Sequence, residues 1–203
     1  LLLLLPGQFK RLSIDLDVII TDQASNLPTL FDQILNKSPF IKWEEDIREK
    51  ARTTPLKHFK FYYNSSINSR EEPVLLDILF LRKSPYLETV KKRITLEFFE
   101  IIKNFEVEIP SVESLFADKL TAFAPNTIGI LYGKGRSTEI IKQLFDLGIL
   151  FYHIKDTREI KTVYKSISKI EAEFRNINNP ITSFLEDSFE TAFLICQLDF
   201  KGS

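Results

Sequence analysis

Residues 74–81 read Val-Leu-Leu-Asp-Ile-Leu-Phe-Leu, an apolar run interrupted only by Asp77. Side chains alternate faces along a strand, so this run is apolar on both faces. Such a strand needs cover on both sides and belongs in the centre of a sheet. A carboxylate inside it is costly unless a cation, a metal or hydrogen-bond donors meet it.

The neighbouring sequence supplies the rest of a sheet. Residues 12–20 read as a buried strand and Leu56–Asn64, with Phe59, Phe61, Tyr62 and Tyr63, as another. Residues 27–37 predict a short helix with Asn26 as cap and Pro28 in its first turn. The charged stretch Ile41–Arg52, which holds the single Trp43, predicts an amphipathic helix. Residues 64–70 form a polar connection, and 92–99 and 105–109 suggest further strands. After Pro110 the spacing turns helical. Helices are expected from Ser111 through Ala122, then over 138–153, 156–176 and 183–198. A Gly-bearing loop over 124–137 precedes the second, and Asn178-Asn179-Pro180 precedes the last. The fold class is therefore α+β, with a sheet core over 1–110 and a helical region over 111–203.

At 203 residues the chain suits one sizeable domain, or a core with an appendage. A formal charge of −1 argues against a strongly cationic nucleic-acid binder and leaves room for a local basic groove. Cys196 is the sole cysteine, read as a buried core thiol, so no disulfide framework exists. Leu1–Leu5 is too short to cross a membrane, and the expected location is the cytoplasm, with no membrane partner. A start at Leu and the absence of Met predict a fragment.

The chemistry begins at Arg11-Leu12-Ser13-Ile14-Asp15-Leu16-Asp17. In a strand Asp15 and Asp17 share a face, where two carboxylates repel. Mg²⁺ with phosphate oxygens removes that repulsion, which points to phosphoryl or nucleotidyl transfer. Asp77 is either a salt-bridged or hydrogen-bonded structural residue, or the third acid of such a site. In the second case it completes the metal site or activates an attacking hydroxyl. Lys119, in Leu-Phe-Ala-Asp-Lys-Leu-Thr-Ala-Phe over 115–123, either snorkels to solvent or reaches a phosphate. Lys142 and Asp146 are four apart and can pair. The loop Gly133-Lys134-Gly135-Arg136 is a solvated turn or a contact for phosphate or RNA. His58 and His153 lack metal-ligand spacing and read as structural or surface residues. The 18 Phe residues fit a core better than a base-stacking platform.

These motifs, in this order, resemble the AbiEii-type nucleotidyltransferases, the toxins of type IV toxin–antitoxin and abortive-infection systems. The resemblance runs over about residues 1–153. It implies the polymerase-β-like nucleotidyltransferase fold, NTP as substrate and Mg²⁺ as cofactor. It assigns Asp15 and Asp17 to metal, Asp77 to metal and catalysis, and Lys119 to the triphosphate and catalysis. Asp146 becomes a catalytic acid, and Arg11 and Ser13 become nucleotide-binding residues of the loop before the metal strand. The family's Gly-Gly or Gly-Ser phosphate cradle is expected upstream of Leu1, and Gln143 stands where relatives often carry an acid. The implied reaction moves NMP from NTP to an acceptor hydroxyl on tRNA or protein, with a cognate antitoxin as a further partner. A non-catalytic relative that binds nucleotide or a partner, and a phosphotransferase or nuclease using the same acids, are the alternatives.

Overall fold

The computed structural model describes residues 15–21, 26–47, 55–94 and 105–199. They form a mixed α+β protein of two compact units, one ending at Ser84 and the other beginning at Pro85. The first contains β1 (Asp15–Ile20), α1 (Leu27–Leu35), β2 (Phe40–Glu45), β3 (Leu56–Asn64) and β4 (Glu71–Phe80). Its sheet runs β1-β4-β3-β2, with β1 parallel to β4 and the other pairs antiparallel. Residues 74–80 of the apolar run thus lie in an interior strand of the sheet.

The helix α1 closes one face of that sheet. Asn26 accepts from the Thr29 amide, and its left-handed φ of 66° suits Asn better than most residues. Phe31, which is buried, packs edge-on against Trp43, Phe59 and Phe61 at ring separations of 4.9–5.1 Å. Ile78 joins this cluster from β4, and Leu76, Phe80 and Ile20 pack around it.

Two expectations fail here. Residues 41–45 of the predicted helix Ile41–Arg52 belong to the strand β2, and 48–52 fall outside the described residues. The register shifts between Phe40 and Lys42, so Phe40 and Trp43, three apart, pack on the same aromatic cluster. Second, of the expected buried strand over 12–20, residues 12–14 fall outside the described residues and 15–20 form a strand that is not buried. β1 forms one edge of the sheet, Leu16 and Val18 are exposed, and only Ile19 and Ile20 are half-buried.

The second unit holds the hairpin of β5 (Thr89–Arg93) and β6 (Glu106–Pro110), then α2 (Val112–Ala122), α3 (Ser137–Phe151), α4 (Thr157–Arg175) and α5 (Ile181–Asp199). Ser111 caps α2 by accepting from the Ser114 amide. Glu113 reaches from the first turn of α2 to the amides of Lys155 and Asp156, just before α4. Ser111 and Ser114 both donate to Glu159 of α4. These ties explain why α2 and α4 pack together around Ala117, Val163, Tyr164 and Phe184. Cys196 is exposed on α5, against the core position expected of it. The buried face of that helix is set by Phe184, Asp187, Ser188 and Thr191, and Cys196 falls on the other side.

Candidate functional site

Residues opposite one another in a sheet share a face. The register sets Asp17 of β1 against Asp77 of β4, and Asp77 against His58 of β3. Asp15, two residues before Asp17, stands on the same face and opposite Leu75. Lys60 is opposite Leu75 in turn. The sheet therefore has an aromatic face under α1 and a second face bearing Asp15, Asp17, Asp77, His58 and Lys60. Neighbouring strands are about 4.8 Å apart, so Asp17, Asp77 and His58 form one transverse row.

The row is not uniform. Asp15 and Asp17 are exposed at the sheet edge, so water already softens their repulsion. The Asp77 side chain keeps 32% exposure and His58 only 8%. His58 Nδ1 lies 2.8 Å from Asp77 Oδ1. The hydrogen-bonded form considered for Asp77 is thus present, with a histidine as partner. The sequence, in which His58 and His153 lack metal-ligand spacing, marks His58 only as a structural or surface residue. The position of His58 opposite Asp77 is a matter of strand register, which composition does not carry. Lys60, 3.4 Å from Asp46, is paired within its own neighbourhood.

Among the described residues, no three His, Cys, Asp or Glu side chains converge closely enough to enclose a metal ion. What is present is an open array of carboxylate oxygens. That donor set fits Mg²⁺, which takes one or two carboxylates and completes its shell with water and substrate phosphates.

In the helical unit, Lys119 of α2 extends to Asp146 of α3, Nζ to Oδ2 at 3.6 Å. Asp146 is fully buried and the Lys119 side chain is 23% exposed. Lys119 therefore neither points simply into solvent nor lies unengaged. The amine sits at the margin of the interior, within reach of a buried carboxylate. Gly133 and Gly135 both adopt φ of 70°, and Arg136 after them pairs with Glu139 at the start of α3. That loop is exposed, as the solvated-turn reading expects. A surface cavity of about 300 Å³ beside Tyr132, Phe189 and Phe193 includes neither Lys119 nor Asp146 in its lining. Arg11 and Ser13 lie outside the described residues.

The chain is thus an α+β protein with three acids on one sheet face and, in its helical unit, a lysine beside a buried carboxylate. Residues 1–198 match the family model for the nucleotidyl transferase AbiEii toxin of type IV toxin–antitoxin systems. The chain belongs to that family, and the match takes in the last helices as well as the motif-bearing part. No curated protein compared with the chain matches it. Among the described residues, no helix is long and apolar enough to cross a membrane.

Proposed function

We propose that this protein is a Mg²⁺-dependent nucleotidyltransferase that moves NMP from NTP to an acceptor hydroxyl, and that it serves as a toxin controlled by an antitoxin. The observation that carries the reading is the register. It aligns Asp17 with Asp77 and leaves Asp15 on the same face, in a chain of the AbiEii family.

In the proposed reaction the acceptor oxygen attacks the α-phosphorus in line. The bond from that phosphorus to the bridging β-phosphate oxygen breaks, and pyrophosphate leaves with the electron pair. The hydroxyl proton passes to Asp77 or through it to water. Asp15, Asp17 and Asp77 would hold Mg²⁺, which supplies charge neutralisation at the phosphate oxygens. Lys119 would hold the triphosphate and offset its developing negative charge, and Asp146 keeps that amine in place. Arg11 and Ser13 would contact the nucleotide. The acceptor would be a tRNA end, with a protein hydroxyl as the other class.

Incubation with NTP labelled at the α-phosphate and either total tRNA or total protein tests this. Label should enter the tRNA fraction with release of pyrophosphate, and Asp15→Asn or Asp17→Asn should cut transfer at least about a hundredfold. Undiminished transfer in either variant overturns the site assignment. Release of cleaved nucleotide without pyrophosphate overturns the reaction class.

A further inference from the structure

His58 is a buried titratable side chain to which the proposed chemistry gives no task. It occupies the end of a row in which Asp77 stands between Asp17 on one neighbouring strand and His58 on the other. Two carboxylates in adjacent positions repel, and an unrestrained Asp77 would turn away from Asp17. A carboxylate only accepts hydrogen bonds, so the imidazole supplies the hydrogen from Nδ1 at 2.8 Å. His58 is 7% exposed as a residue, whereas the Asp77 side chain keeps 32% exposure, so the ring has less room to move than the acid. The restraint therefore runs from the histidine to the acid.

We propose that His58 is a positioning residue. By holding Oδ1 it fixes the Asp77 carboxylate, so that Oδ2 is the oxygen presented to a cation and substrate on the face shared with Asp15 and Asp17. This inference rests on the nucleotidyl-transfer reading of the three acids. Partners that orient a ligating carboxylate typically change metal affinity or activity by about 10–100-fold when removed.

The experiment separates positioning from mere packing. In Asn the amide nitrogen is bonded to Cγ, as Nδ1 is in His, so His58→Asn keeps a donor near the same point. His58→Gln moves the donor outward, toward the place of Nε2, and His58→Leu removes it. Binding of Mn²⁺ alone is followed through the paramagnetic resonance of the free ion, and transfer is resolved into kcat and KM for NTP. His58→Leu and His58→Gln should weaken Mn²⁺ binding about tenfold or more and lower kcat, with His58→Asn restoring most of both. Wild-type Mn²⁺ affinity in His58→Leu, or an Asn variant as weak as the Gln variant, overturns the proposal. If the Leu variant does not fold, the Asn–Gln comparison decides alone. Asp17→Asn is measured beside them. Loss of Mn²⁺ binding there, with none in the His58 variants, removes only the positioning role. Retention of binding in Asp17→Asn removes the three-acid site itself.

Discussion

Tyr164 places its hydroxyl in the core of the helical unit, where neither it nor Ser168, one turn on along α4, has a hydrogen-bond partner of good geometry. Burial pushes the phenol up to about 12, with the Asp187 charge adding to the rise and Ser168 opposing it. The raised value makes the folded state hold its proton more tightly than the unfolded chain does. The resulting stability is fully present below about pH 10 and is lost as pH rises toward about 12. Tyr164→Phe should leave stability at pH 7 unchanged or raise it by about 1 kcal/mol, since an unsatisfied hydroxyl disappears. It should also flatten the decline between about pH 10 and 12, worth up to about 2–3 kcal/mol in the parent. Urea melts at several alkaline pH values check both, and parallel curves for the two proteins contradict the burial argument. Nothing in the sequence marks this hydroxyl. Its isolation follows from which helices meet at Val163 and Ile167.

α5 illustrates how one polar residue can organise an element. Asp187 is 4% exposed and accepts from the Asn126 amide at 2.9 Å, the Asn126 side chain at 2.8 Å and the Thr127 hydroxyl at 2.7 Å. It thereby ties the turn after α2 to the last helix. Asp187→Ala strands those donors and should cost about 3 kcal/mol, with Asp187→Asn losing less because one acceptor oxygen survives. A lower urea midpoint at unchanged slope is the expected signature, and an unshifted midpoint sinks the assignment. The helices themselves were legible in the sequence, because their apolar residues recur at three and four positions and Ser111 caps the first of them. Strands β3 and β4 were legible from continuous aromatic and aliphatic runs. β2 was not, since its charged stretch from Ile41 to Glu45 reads as the start of an amphipathic helix. β1 was read correctly as a strand and wrongly as buried, because an apolar run does not say whether a strand has one neighbour or two.

At the scale of the molecule, the acids of the candidate site were visible as residues, whereas the row joining Asp17, Asp77 and His58 depends on long-range pairing. The family resemblance assigns catalytic tasks in both units, to Asp15, Asp17 and Asp77 in one and to Lys119 and Asp146 in the other. Lys119 and Asp146 have a competing explanation, since a buried carboxylate against an amine can simply brace α2 on α3. The two roles separate through a double substitution. Lys119→Met alone removes a cation that faces a fully buried carboxylate and should cost about 3 kcal/mol. Adding Asp146→Asn removes that charge while keeping the side chain's shape, so most of the stability should return. If the pair serves only as a brace, label transfer from NTP returns with the stability. If Lys119 holds the triphosphate, the double variant melts like the parent and transfers nothing, and its affinity for NTP measured by calorimetry falls with it. A stable double variant with parental transfer would strip both residues of their catalytic assignment and leave the chemistry to the three sheet acids.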